Sequence, residues 1–169
     1  LAAAGVRVPT PYNFHEGVLL MELVADADGE PAPRLNDLSL TEEEAIKYHA
    51  MLIRQVVYML CAGIVHGDLS EYNVLVDSNG PVIIDLPQAV DAAANNNAQR
   101  MLERDVDNLA DYFGQFAPAL LQTRYGPEIW ALYENGALHP ESELTGIFAE
   151  TEVAVNLDEV MEVILLEKV

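Results

Sequence analysis

"HGDLSEYNVLVDSNGPVIID", residues 66–85, is the stretch that decides the fold. Two short apolar runs rich in β-branched residues, "NVLV" and "PVIID", flank "DSNG", which is typical of a tight turn. The stretch therefore predicts an antiparallel β-hairpin. Polar residues stand at its open end, where the first strand begins and the second strand finishes.

The predicted hairpin brings distant polar residues together. Asn73 just precedes the first strand and Asp85 just follows the second, so the two become neighbours in an antiparallel pair. Asp68 lies five residues before Asn73, on the loop that leads into the same end. We therefore expect Asp68, Asn73 and Asp85 to converge at one edge.

These residue types suit phosphoryl transfer. Asn73 and Asp85 offer the oxygen donors that Mg²⁺ or Mn²⁺ takes, and Asp68 is left to orient a hydroxyl or accept its proton. His66 is expected to fix the loop by a hydrogen bond or by packing. Any one of these residues alone is typical of an ordinary turn, and only their combination indicates a site.

A helix is predicted ahead of this stretch. Thr41 is a candidate N-cap with Glu44 three residues on, as in a capping box, and Gly63 is expected to end the helix. Its apolar stripe consists of Ala45, Ile46, His49, Leu52, Ile53, Val56, Val57 and Leu60. On such a stripe, His49 is expected to be a packed core residue rather than a ligand.

A second amphipathic helix is predicted over about 98–116. Its inward face consists of Ala98, Leu102, Val106, Leu109, Phe113 and Phe116. Asp105 lies on or beside this face, and it needs a partner because an unpaired buried charge is very costly. Further helices are expected at about 125–135 and 156–168.

The first 24 residues predict the end of a helix and two short strands. "LAAAG" resembles the last turn of a helix that Gly5 stops, and "PTPYNF" and "GVLLMELV" predict two short strands. Two strands, a hairpin and several helices indicate an α+β fold that is mostly helical.

Composition narrows the classes of function. The chain has 169 residues, of which 51% are hydrophobic, and this predicts one globular domain. Its net charge of −20 opposes binding to nucleic acid or to anionic membranes. No membrane span or signal peptide is evident. With a single cysteine, Cys61, the chain is expected to be cytoplasmic.

The motifs resemble those of one known family. "IVHGDLSEYNVLV" followed by "PVIIDLPQAV" resembles the catalytic and metal-binding loops of the RIO family of atypical protein kinases. "GVRVPTPYNFHEGVLLMEL" resembles the segment from the end of the αC helix through the hinge, and "NNNAQRMLERDVDNLADYF" resembles the helix after the metal loop. The resemblance covers residues 1–116 and implies ATP-dependent phosphorylation of serine in proteins.

The resemblance assigns roles at the catalytic end. Asp68 resembles the catalytic-loop aspartate, with His66 just before it. Asn73 and Asp85 resemble the metal-binding residues. Asp105 resembles the acid that binds the catalytic-loop backbone, which would supply the partner that its helix requires.

The resemblance also assigns a nucleotide site. Met21 resembles the gatekeeper, and Glu22 and Val24 would meet adenine through hinge backbone groups. Leu75 and Ile84 would form the floor beneath adenine. The implied cofactors are ATP with Mg²⁺ or Mn²⁺.

The resemblance divides the chain into two parts. Residues 1–24 would be a remnant of a kinase N-lobe, and residues 25–169 the C-lobe. A glycine-rich loop and a strand lysine are not found, so this chain in isolation is expected to bind nucleotide weakly and turn over little. An uncovered strand edge would favour self-association.

Two alternatives stay open. A small-molecule phosphotransferase of the aminoglycoside or choline kinase type shares an H-G-D-x(4)-N loop, although "LSEY" and "DLPQ" suit the RIO pattern better. The second alternative is a slow ATPase switch or scaffold, in which Asp85 would carry an aspartyl-phosphate.

Overall fold

A computed structural model describes residues 1–149 of the chain. The predicted helix at 156–168 lies outside the described residues. The helices are α1 (Glu42–Cys61), α2 (Ala98–Gly114) and α3 (Tyr125–Glu134). The strands are β1 (Pro11–His15), β2 (Val18–Met21), β3 (Ile64–Val65), β4 (Val74–Asp77), β5 (Gly80–Ile83) and β6 (Val90–Asp91).

The strands pair into small antiparallel sheets. β1 pairs with β2, β3 with β6, and β4 with β5, and short 3₁₀ turns connect several elements. Helices combined with small antiparallel sheets confirm the α+β class. No helix within residues 1–149 is long and apolar enough to cross a membrane.

Local sequence explains both ends of α1. The Glu44 backbone N–H donates to the Thr41 hydroxyl at 3.2 Å, and the Thr41 N–H donates back to the Glu44 carboxylate at 2.9 Å, which confirms the capping box. Gly63 follows the helix with a φ of 77°, a left-handed conformation that glycine adopts without strain.

One residue of the predicted α1 stripe was assigned wrongly. Ile46 is 46% exposed, whereas the other stripe residues are buried. The first turn of α1 projects into solvent, since residues 41–44 are also exposed and Ala45 is the first buried position. His49 is buried as predicted, with its ring against the rings of Phe113 and Tyr125 at centroid distances of 5.7 and 5.8 Å.

The core lies between α1, α2 and the β4–β5 hairpin. Its fully buried members include Leu52, Leu60, Ile83, Leu109 and Phe113. α2 ends at Gly114, two residues earlier than predicted, and Phe116 packs against the core from the following turn. The helix predicted at 125–135 is present as α3.

Arg7 joins the start of the chain to the β4–β5 hairpin. Its guanidinium forms a salt bridge with Asp77 at 2.7 Å and donates to the Pro81 carbonyl at 3.0 Å. The Ile83 N–H donates to the Arg7 carbonyl at 2.9 Å. Arg7 thus holds the hairpin near its turn, through Asp77 and Pro81, and at the end of β5, through Ile83.

The β1–β2 hairpin is confirmed, and both of its strands are exposed along their whole length. Large apolar side chains lie on it or next to it in contact with solvent: Tyr12, Phe14, Val18, Leu19, Leu20, Met21 and Leu23.

Candidate active site

Helix α2 fixes the backbone of the loop that carries Asp68. The buried Asp105 carboxylate accepts the Gly67 N–H at 2.7 Å and the Leu69 N–H at 3.0 Å. Burial raises the pKa of Asp105, and these two hydrogen bonds oppose that rise. The partner that the sequence required for Asp105 is therefore the backbone on either side of Asp68.

Two further α2 residues bind the same loop, and sequence reasoning missed them. The Arg104 guanidinium donates to the Gly67 carbonyl, and the Asn108 amide donates to the Leu69 carbonyl at 3.1 Å. Asn108 lies three residues after Asp105 and four after Arg104, and both spacings place the paired positions on one helix face. Their spacing in "ERDVDN" is compatible with these contacts but does not by itself predict them.

His66 connects the loop to the second strand of the hairpin. Its Nε2 lies 3.0 Å from the Ile84 carbonyl, and its Nδ1 lies 3.3 Å from the Asp68 N–H. An imidazole with its proton on Nε2 satisfies both contacts at once. His66 is buried, so the ring holds the backbone at Asp68 rather than facing solvent.

Asp68 and Asn73 lie in contact. The Asn73 amide donates to the Asp68 backbone carbonyl at 2.8 Å and approaches the Asp68 carboxylate at 3.4 Å. A single 3₁₀ turn, Glu71–Asn73, leads from the loop into β4. Because the Asn73 nitrogen faces Asp68, its amide oxygen is left as the acceptor.

Asp85 reaches the same end of the hairpin through β5. The Ile84 N–H donates to the Asn73 carbonyl at 3.0 Å, which places Asp85 one residue beyond that bond. Asp85 is exposed and has a φ of 63°, in the left-handed region that non-glycine residues seldom adopt. Such strain is typical of functional positions.

The residues predicted to bind adenine lie in three places. Val24 packs with Ala32, Val82 and Leu75 in a small apolar cluster of its own. Ile84 lies beyond this cluster, next to the His66 loop. Met21 is exposed at the end of β2.

Hydrogen bonds around residues 22–24 engage some backbone groups and leave others without a partner. The Glu22 N–H donates to Thr10, and the Val24 carbonyl accepts from Ala32. The Glu22 carboxylate binds the Thr10 backbone N–H and hydroxyl, which lowers the pKa of Glu22. Of the backbone groups of Glu22 and Val24, the Glu22 carbonyl and the Val24 N–H have no hydrogen-bond partner among the described residues.

The polar edge offers oxygen donors, the ligands that a hard cation takes. Within residues 1–149, no three His, Cys, Asp or Glu side chains are grouped to hold a metal ion. The Asn73 amide oxygen and the Asp85 carboxylate supply two oxygen donors. Mg²⁺ needs few protein ligands, because phosphates and water complete its shell.

Comparison with known proteins agrees with these motifs. Residues 1–125 match the RIO domain family. The chain is 42% identical to the RIO-type serine/threonine-protein kinase Rio1 of Haloferax volcanii over 111 residues, which cover 65% of this chain and 37% of the relative.

More distant relatives bear similar names. The serine/threonine-protein kinase rio1 of Schizosaccharomyces pombe is 29% identical over 167 residues, which cover 96% of this chain and 32% of that protein. Human serine/threonine-protein kinase RIO1 is 32% identical over 125 residues, which cover 73% of this chain and 22% of that protein. The chain thus spans a minor part of the length of these relatives.

Proposed function

The chain belongs to the RIO family, and we propose that it carries the catalytic and metal-binding residues of an ATP-dependent kinase that phosphorylates serine in proteins. Its relatives bear the name serine/threonine-protein kinase. The observation that carries the proposal is the contact between Asn73 and Asp68 at the hairpin end that also presents Asp85.

Asp68 is the residue assigned to the substrate hydroxyl. Its carboxylate is partly exposed and is approached by the Asn73 amide, so one face is open to an incoming serine. There it orients the hydroxyl and accepts its proton as the oxygen attacks the terminal phosphorus. ADP is the leaving group, and the phosphoryl group ends on the serine oxygen.

His66 and Asp105 are assigned as positioning residues. Asp105 fixes the backbone N–H groups on both sides of Asp68, and His66 fixes the N–H of Asp68 itself. Phosphoryl transfer depends mainly on such positioning, because the protein does little covalent chemistry in it.

Asn73 and Asp85 would hold the divalent cation, Mg²⁺ or Mn²⁺. Their oxygen donors fit such an ion, and the exposed Asp85 carboxylate leaves room for phosphate oxygens. When bound, the ion neutralises charge on the phosphates. The Glu22 carbonyl and the Val24 N–H would contact adenine, with Met21 as gatekeeper and Leu75 and Ile84 beneath the ring.

The same assignment divides the chain at the hinge. Residues 1–24 correspond to the N-lobe side of a kinase, and residues 25–169 to its C-lobe. In support, the β1–β2 hairpin is solvated throughout, whereas the core is built from residues around α1, α2 and β4–β5.

The proposal is tested by phosphoryl transfer from labelled ATP to a serine protein, with the 169-residue chain in excess over that protein because its turnover in isolation is expected to be low. Asp68→Asn keeps the size of the side chain but removes the proton acceptor, so transfer should fall about 100-fold or more. Nucleotide binding, measured by calorimetry, should change little. Asp28→Asn, at an exposed loop, is the matched control.

Two outcomes count against protein phosphorylation. Full transfer by Asp68→Asn would remove Asp68 from its assigned role. A phosphate that hydroxylamine releases, and that Asp85→Asn abolishes, would instead indicate the ATPase alternative, in which the exposed Asp85 carboxylate attacks ATP.

A further inference from the structure

An open groove adjoins the loop that carries Asp68. It has a volume of about 400 Å³ and runs between the turn at Ser70–Tyr72 and the face of α2 that bears Asn108 and Asp111, with Gln115 just after the helix. Asn108, in the wall of the groove, also binds the Leu69 carbonyl next to Asp68. The groove therefore lies next to the loop that carries Asp68.

The groove is negatively charged on both walls. Glu71 lies on the loop side and Asp111 on the helix side. Within residues 1–149, neither carboxylate takes part in a side-chain hydrogen bond or a salt bridge. Burial raises the pKa of Tyr112, which lines the groove, and the negative charges of Glu71 and Asp37 add to this rise. The negative potential of both carboxylates therefore acts at the groove.

An aromatic ring completes the groove. Tyr72 is 55% exposed although it lies between Glu71 and Asn73 in the turn that leads to the site. Tyr112 behind it is fixed, since its hydroxyl donates to the Leu35 carbonyl at 2.7 Å. A ring face beside carboxylates is a favourable environment for a guanidinium or ammonium group.

The distance between Asp68 and the groove limits which substrate residue could occupy the groove. Asp68 and Glu71 are three residues apart, so their backbones lie within about 11 Å of each other. An extended peptide advances about 3.3 Å per residue. A side chain two or three residues from the phosphorylated serine can therefore reach the groove.

We propose that this groove binds an arginine or lysine two or three residues from the phosphorylated serine, so that the kinase selects basic segments of protein. This rests on the function proposed above and adds the substrate class. Glu71 and Asp111 set the charge preference, and Tyr72 stacks on the cation.

The test uses the full chain and a set of serine peptides. Each peptide has alanine around the serine and a single arginine. The position of this arginine differs from peptide to peptide and ranges from three residues before the serine to three after it. Matched peptides carry glutamine at the same place. We expect kcat/KM to be about tenfold higher for arginine at one of the positions two or three residues away, mainly through KM, and the advantage to shrink at high salt.

Substitutions in the groove test whether the groove causes this preference for arginine. Glu71→Gln with Asp111→Asn should remove most of the arginine advantage and leave the glutamine peptides unaffected. Tyr72→Ala should reduce the advantage about threefold, whereas Tyr72→Phe should retain it. The control that removes two charges elsewhere is Glu141→Gln with Glu143→Gln, both exposed.

The outcomes separate this inference from the proposed function. Phosphorylation of arginine and glutamine peptides at equal rates would overturn the groove inference alone. An arginine preference that survives loss of both groove carboxylates would overturn it too. If no serine peptide or protein is phosphorylated by the parent chain, the kinase proposal falls, and this inference with it.

Discussion

At the scale of a single residue, His49 links the core to pH. The ring is 2% exposed, its Nε2 has no hydrogen-bond partner among the described residues, and burial lowers its pKa from 6.5 to about 4. Between these pH values the unfolded chain binds a proton that the folded protein does not. The free energy of unfolding should therefore fall as pH drops from 6.5 towards 4, by up to about 3 kcal/mol.

His49→Leu separates this contribution from that of the carboxylates. It removes the titrating ring, so urea unfolding between pH 4 and 7 should show a smaller loss of stability on acidification than the parent. The exposed His139→Gln should behave like the parent. An unchanged acid dependence in His49→Leu would exclude His49 as its source.

The residues around Asp68 show how far single positions can be predicted. Asp105 was predicted to need a partner because it stands on an apolar helix face, where an unpaired buried charge is very costly. Arg104 and Asn108 carried no such conflict, since polar residues on a helix are ordinarily solvated. Their contacts depend on how α2 docks against the loop, which no local pattern encodes.

At the scale of elements, the Arg7–Asp77 salt bridge holds the β4–β5 hairpin. The side chains are 29% and 16% exposed, respectively. Burial alone would raise the pKa of Asp77, but hydrogen bonds from Arg7 and from the Asn79 N–H outweigh it and lower that pKa. Arg7→Met should leave Asp77 poorly satisfied and cost about 1–3 kcal/mol of unfolding free energy in urea.

A double-mutant cycle isolates this pair from the rest of Arg7. Arg7→Met and Asp77→Asn should together cost less than the sum of the two single changes. Arg34→Met, at an exposed position, is the control and should have little effect. Additive losses would show that the two side chains do not stabilise the hairpin jointly.

Elements with a strong local signal were predicted well. The capping box and apolar period set α1, and the "DSNG" turn between β-branched runs set β4–β5. The proximity of Asn73 to the end of β5 followed from the hairpin, because antiparallel pairing brings the two open ends together. The groove beside Tyr72 was not predicted, since it forms only where α2 meets the loop, and Ile46 was misplaced because helical period does not show where the core stops.

At the scale of the whole molecule, the excess of negative charge is the main feature. The chain has 28 acidic and 8 basic residues, so most carboxylates cannot have a cationic partner. Their mutual repulsion acts against the compact state more than against the expanded unfolded chain. The Debye length is about 10 Å at 0.1 M salt and about 3 Å at 1 M, so added salt screens this repulsion in the folded protein.

Stability should therefore rise with NaCl. Between 0.1 and 1 M we expect the free energy of unfolding to increase by at least about 1 kcal/mol, or roughly 2–4 °C in Tm, in thermal scans at pH 7. The rise should be smaller after four exposed acids are neutralised: Asp28→Asn, Glu134→Gln, Glu141→Gln and Glu143→Gln. An equal rise in parent and variant would assign the effect to salting-out of apolar surface such as the β1–β2 hairpin, and a fall in parent stability would contradict charge repulsion as the dominant whole-molecule term.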